Sequence, residues 1–383
     1  MTATEARLGA VDRATLTPLV RSALANNEAE VAGWKMQQLS GGVAGGTAMG
    51  GSAIYRFSGE AGMQGGLRPW TLILKILHPG GSHDPSGSHY WKREAEVYRS
   101  GMLDRLPAGL KAPRCFGLAD HPGESFWLWL EDVKEEIGQW PLERYGVAAR
   151  HLGSFNARYL TDQPALGSPW LSKHWIRRDL EQAGALIDQI DASLRIPLVR
   201  RLFPGDAAAK VFRLWGERNA FLAALDLLPQ TLCHFDAFRR NMFARRPGNH
   251  DETVLIDWAF LGQGAVGAEI VSPVWVTLIF AEVDAKNANE LSEVMFHNYL
   301  RGLRDAGWKG SERDVRLGYS AAVALRRLGT IGYALPMFLD EVRHGALETL
   351  VGRKVDELAD IFAQAGRFVE ALAAEARDLM SAG

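Results

Sequence analysis

The spacing of apolar and polar positions changes once along this chain, near residue 130. Residues 34–39 (WKMQQL), 53–57 (AIYRF), 71–77 (TLILKIL) and 125–130 (SFWLWL) are short runs rich in aliphatic and aromatic side chains. Glycine, proline and charged residues bound them, so they read as strands. Residues 89–105 carry Trp91, Val97, Tyr98 and Leu103 along one side, which predicts a helix. From 141 onward, spacings of three and four dominate. Residues 142–159, 170–190, 207–227 and most of 288–380 are expected helices. The interruption at 231–261 holds short strand-like runs (MFARR, TVLIDWAF) around a turn at Pro247 and Gly248. This order predicts an α+β chain of two lobes, strand-rich over 1–130 and helical over 131–383.

Composition narrows the function classes. Of 383 residues, 47% are apolar and 23% charged, the balance of a globular protein. A formal charge of −2 gives no basic field, which argues against nucleic acid as a partner. Cys115 and Cys233 are far apart in apolar surroundings, so two buried, reduced thiols are expected rather than a zinc site or a disulfide framework. The longest apolar stretch, around Val276, is too short to span a bilayer, and the N-terminus has no signal-peptide core. A cytoplasmic protein that makes no use of a membrane is expected.

The most informative segment is 234–257, HFDAFRRNMFARRPGNHDETVLID. Asp236 follows His234 by two residues, Asn241 follows Asp236 by five, and Asp257 ends an apolar strand sixteen residues later. Phosphoryl transfer asks for one carboxylate to accept the proton of an attacking hydroxyl, and for hard oxygen ligands to hold Mg2+ against a triphosphate. Asp236 suits the first task, and Asn241 and Asp257 the second. His234 is expected to shape the loop through a backbone hydrogen bond. In the first lobe, Lys75 interrupts the apolar run LILKIL, where an ammonium is out of place unless it meets anions. Glu94, nineteen residues on, is its expected partner, with Glu96 as the competitor. Glu94 is preferred for its register with Tyr98. The glycine-rich stretch 41–51 (GGVAGGTAMGG) lies between two strands, where the amides around Gly41, Gly42, Gly45 and Gly46 could cover phosphates; it holds no Walker-type pattern.

These pieces, in this order, resemble the aminoglycoside phosphotransferase and choline-kinase-like family, the small-molecule branch of the protein-kinase-like fold. The resemblance covers nearly the whole chain. It implies a Mg2+-dependent kinase that uses ATP or GTP and a small-molecule hydroxyl acceptor. Lys75 and Glu94 would be the phosphate-binding pair, and the backbone of Leu130 and Asp132 would face a purine. Asp236 would be the base, Asn241 and Asp257 the metal ligands, and Glu269 the brace of the catalytic loop. The loop departs from the family pattern at Phe235 and at Ala237, Phe238, Arg239 and Arg240. The two arginines are candidate acceptor contacts that would favour a neutral or anionic substrate; equally, they could be solvated or pair with Glu269. The acceptor itself stays open among antibiotics, sugars, amino sugars and amino alcohols. A catalytically inactive nucleotide-binding scaffold is the alternative of another class.

Overall fold

Leu72, Leu74 and Ile76 belong to one face of a five-stranded sheet, and Ile73, Lys75 and Leu77 to the other. The computed structural model of the protein describes residues 3–39, 52–80, 82–161, 167–173 and 175–382. The first lobe opens with α1 (Ala3–Gly9) and α2 (Arg13–Leu24), followed by β1 (Glu30–Leu39), β2 (Ala53–Met63) and β3 (Gly66–Leu77). After α3 (Arg93–Arg99) come β4 (Leu110–Lys111), β5 (Cys115–His121) and β6 (Ser125–Glu131). The sheet order is β1-β2-β3-β6-β5, antiparallel throughout. Leu16, Leu19 and Val20 of α2 cover the face with Leu72, Leu74, Trp127 and Trp129. Ala95 of α3 packs on the opposite face, with Leu77, Phe126, Leu128 and Leu130. Period-two alternation therefore turns Lys75 toward α3.

The second lobe begins with α4 (Leu142–Thr161), α5 (Trp175–Ile187), α6 (Ile190–Ser193), α7 (Pro197–Leu202) and α8 (Ala207–Leu227). Four short strands follow: β7 (Gln230–Cys233), β8 (Met242–Arg245), β9 (Glu252–Leu255) and β10 (Gly262–Ala265). It closes with α9 (Val271–Ile279), α10 (Ala288–Asp305), α11 (Glu312–Leu339), α12 (Glu341–Val351) and α13 (Val355–Ser381). β7 pairs with β10, and β9 pairs with both β8 and β4, so a short strand from the first lobe's sequence joins the second lobe's sheet. α4 and α10 cross closely at two glycines. A Cβ on Gly153 would come within 2.1 Å of the Tyr299 carbonyl oxygen, and one on Gly302 within 2.0 Å of Arg150's. Among the described residues no helix is long and apolar enough to cross a membrane.

The chain is thus α+β and two-lobed, an antiparallel sheet followed by a mostly helical body, as its periodicity predicts. Several boundaries differ. The helix expected over 89–105 is α3 and a separate 3-10 turn, Met102–Arg105, because Gly101 takes a left-handed φ of 67° between them. β2 and β3 extend to a hairpin turn where Gly65 and Gly66 have φ of 103° and 119°. α1, α2 and β5 are short or weakly patterned elements that periodicity does not mark. The apolar stretch around Val276 is α9, buried along its whole length. Cys233 is buried as expected, but Cys115 is exposed, because it begins an edge strand.

Candidate active site

Lys75 meets two carboxylates, one from each lobe. Its Nζ lies 2.5 Å from Glu94 Oε2 and donates to Asp257 Oδ1 at 2.9 Å. Glu96, the competing partner, instead pairs with Arg99 on the helix surface. Lys75 and Glu94 are buried at 6% and 1% exposure, so this is a desolvated ion pair. Burial alone would drive Lys75 toward its neutral form, yet Asp257 and Glu94 hold it above its ordinary range. Burial likewise opposes ionisation of Asp257, and Lys75 overrides it, holding Asp257 below the usual carboxylate range. Asp257 itself sits at a φ of 62°, a left-handed turn that lifts its side chain off the end of β9.

The loop after β7 presents Asp236 beside this group. Phe235 has a φ of 65°, its ring stacks on Trp175 at 4.2 Å, and Ser272 donates to its carbonyl. Asn241 donates through Nδ2 to Asp236 Oδ2 at 2.8 Å and to the Asp236 carbonyl at 2.9 Å. Both amide hydrogens are thereby used, and the amide oxygen is left for another partner. His234 shapes the loop as expected: its Nδ1 accepts from the Asp236 N–H at 3.2 Å and its Nε2 reaches the Ile256 carbonyl at 3.1 Å. Those partners require the neutral Nε2–H tautomer. Burial pushes His234 down to about 4, which keeps it neutral. Glu269 braces the turn from beneath, accepting from the backbone N–H of His234 at 2.7 Å and of Phe235 at 3.3 Å. Burial first, then the charge of Asp257, pushes Asp236 up to about 8.

An amide oxygen at Asn241 and a carboxylate at Asp257 are hard donors of the kind Mg2+ takes. Among the described residues no cluster of three or more His, Cys, Asp or Glu could hold a metal ion. Two protein ligands fit a cation that completes its shell with phosphate and water. The residues therefore suit Mg2+ brought in with a nucleotide.

Other candidate positions are placed as follows. Leu130 lies inside the sheet, opposite Ile73 on one side and Cys115 on the other, while Asp132 is the first residue past β6. The Asp132 carboxylate is held by Arg56 Nε at 3.0 Å and Lys134 Nζ at 2.5 Å. Gly41, Gly42, Gly45 and Gly46 lie outside the described residues. Neither arginine of the loop pairs with Glu269. Arg239 lies 3.1 Å from Glu135 and over Trp140; Arg240 lies 2.6 Å from Glu282 and over Phe280.

Three supporting residues carry no distinctive signal in the sequence. Asn156 of α4 donates to Glu269 at 3.2 Å and to the Leu232 carbonyl at 2.7 Å. Ser272 fixes Phe235, as noted. Arg93, next to Glu94, is fully buried, and its hydrogen bonds go to backbone carbonyls. It donates to Trp170 O at 2.8 Å, Ala259 O at 2.9 Å, Ser88 O at 2.8 Å, Pro85 O at 3.1 Å and also Gly87 O. Arg93 thus ties α3, which carries Glu94, to the chain just beyond Asp257. The one local signal was an arginine beside a helix glutamate, which is indistinguishable from a solvated side chain.

Fold and site together are of the kinase-like phosphotransferase type. The chain belongs to the phosphotransferase enzyme family, whose model matches residues 64–310. No curated protein sequence matches it significantly. Among solved structures it is similar to a microcompartment-associated aminopropanol kinase, at 12% identity over 94% of this chain and 98% of that one, with a TM-score of 0.54. It is also similar to an amicoumacin kinase solved with AMP-PNP, Ca2+ and Ami, at 15% identity over 94% and 97%, with a TM-score of 0.51. A choline kinase from Cryptosporidium parvum shares 13% identity over 96% and 97%, with a TM-score of 0.50. At such identities the likeness is one of fold.

Proposed function

We propose that this phosphotransferase moves the γ-phosphate of ATP, or of GTP, onto a hydroxyl of a small molecule, with Mg2+ required and Asp236 as the catalytic base. The observation that carries this reading is Lys75 joined to Glu94 and Asp257 across the two lobes, with Asp236 and Asn241 alongside. In this reading the acceptor oxygen attacks the γ-phosphorus, its proton passes to Asp236, and the bond to the bridging oxygen breaks to release the nucleoside diphosphate. Lys75, held by Glu94, would pair with the α- and β-phosphates. Asn241 and Asp257 would hold Mg2+, which supplies charge neutralisation for the triphosphate. A cation held there would offset the charge of Asp257, one of the two influences that raise Asp236, and would so favour its carboxylate form.

The lobes are assigned to 1–130 for the nucleotide and 131–383 for the catalytic loop and acceptor. The glycines at 41, 42, 45 and 46 would cover the phosphates, and the backbone at Leu130 and Asp132 would face the purine. A cytoplasmic setting fits, because nucleoside triphosphate is supplied there. Neither nucleic acid nor membrane is needed for this chemistry. Antibiotic modification and metabolic phosphorylation of a sugar, amino sugar or amino alcohol both use the same site. The test is nucleotide turnover with sugars, amino alcohols and antibiotics, read by the mass gain of one phosphate. Nucleotide binding without transfer to any acceptor would favour the inactive scaffold.

A further inference from the structure

Next to Asp236 lies a polar cluster that phosphate transfer does not use. α5 carries Trp175 and, one turn on, Asp179; α11 brings Arg326 and Tyr333 against it. Asp179 is 4% exposed and accepts from Arg326 Nη1 at 2.9 Å and from the Tyr333 hydroxyl at 2.7 Å. His89 of the first lobe stands 3.6 Å away. Burial opposes its ionisation, yet donors from His89, Arg326 and Tyr333 hold Asp179 below the usual range, so it is a carboxylate. The Arg326 guanidinium lies 5.6 Å from the centre of the Trp175 ring, which stacks on Phe235, the residue before Asp236.

The ion pair with Asp179 uses one nitrogen of Arg326. Its Nε is buried without a hydrogen-bond partner, and Nη2 has none among the described residues. Nε and Nη2 form the side-on edge of a guanidinium, whose two parallel N–H bonds match the two oxygens of a carboxylate. A buried cationic donor left without an acceptor is unfavourable, and a bound oxyanion would remove that penalty. A single negative charge suits the site better than a phosphate's two. Asp179 already offsets the charge of Arg326, and the triphosphate would bring further negative charge nearby. Arg326 also lies beyond residues 64–310, the stretch that matches the family.

We propose that Arg326 selects the acceptor, its Nε–Nη2 edge binding a carboxylate on the same molecule whose hydroxyl faces Asp236, so that the substrate class is a hydroxy acid. This rests on the reading of Asp236 as base given above. The competing account is that Arg326 only ties α5 to α11.

The test compares glycerate with glycerol, and gluconate with sorbitol, as acceptors with Mg2+ and ATP. Wild type and the variants Arg326→Lys and Arg326→Gln are assayed. Wild type should turn over at least one of the two acids with kcat/KM at least ~30-fold above its matched alcohol. Arg326→Lys keeps a cation opposite Asp179 but loses the fork. It should raise KM for that acid by ~30-fold or more, leaving the KM for ATP and the thermal midpoint unchanged. Arg326→Gln checks the same effect where its fold survives. Preference for the alcohols, an equal loss on both members of a pair, or no turnover of either acid would overturn the proposal. Calorimetric binding of Mg2+ with AMP-PNP to the same preparations separates the two failures. Nucleotide binding without acid turnover removes the hydroxy-acid assignment alone, whereas absent nucleotide binding removes the kinase reading beneath it as well.

Discussion

Asn241 donates to the carboxylate of Asp236 over 2.8 Å, so the residue proposed to hold the metal also fixes the orientation of the proposed base. Asp236→Asn keeps an oxygen for that bond and should leave folding and nucleotide affinity intact. Turnover should fall by at least ~10²-fold, the loss expected when a positioned base is removed. Steady-state kinetics with any accepted substrate check this, and equal rates would take Asp236 out of the mechanism.

Asp257→Ala should lower activity and raise the Mg2+ concentration needed for half-maximal rate. The control is Asp251→Ala: Asp251 pairs with Arg246 at 3.0 Å on the surface, and its loss should be silent. If magnesium titrations of the two variants coincide, Asp257 is not a metal ligand.

Arg93→Ala should destabilise the protein by at least ~3 kcal/mol, because five carbonyls at a buried site lose a charged donor together. Arg93→Lys cannot span all five and should fall between. Denaturant unfolding measures both, and a near-neutral Arg93→Ala would show that the tie between α3 and the Asp257 turn is dispensable.

His151 on α4 bonds through Nδ1 to Thr253 Oγ1 at 3.0 Å, and burial, reinforced by Arg144, pushes it down to about 4. The unfolded chain, with histidine near its ordinary value, takes up this proton first as pH falls. The contribution to stability is therefore fully present above pH ~6.5 and is lost as pH falls toward 4. Buried His234 acts in the same direction. Thermal midpoints from pH 7.5 down to 5 should decline less steeply in His151→Gln than in wild type; parallel declines would show that His151 titrates normally in the fold.

Arg239→Ala/Arg240→Ala should lower the thermal midpoint and leave acceptor and nucleotide KM unchanged. Glu135 and Glu282 meet the two charges, and Trp140 and Phe280 cover the guanidinium planes. A selective rise in acceptor KM would return these arginines to the acceptor site.

Features that depend on short spacing are legible along the chain. Alternation in TLILKIL put Lys75 on the face opposite Leu72 and Leu74, and helical register turned Glu94 rather than Glu96 toward it. The spacing of His234, Asp236 and Asn241 marks them as one short loop segment, which the hydrogen bonds from Asp236 N–H to His234 and from Asn241 to Asp236 close into a turn. Contacts between distant segments arise only as the helices and sheets pack. Glu135 and Glu282 meet the two loop arginines, Asn156 of α4 comes under Glu269, and Arg93 reaches carbonyls on both lobes. Arg326 likewise met Asp179 across the packing of α11 on α5. Helical periodicity fixes which face of α5 or α11 is buried, but not which residue of a distant helix it meets. That choice follows from how whole helices pack, as at the close approach of Gly153 to Tyr299, and no local pattern records it.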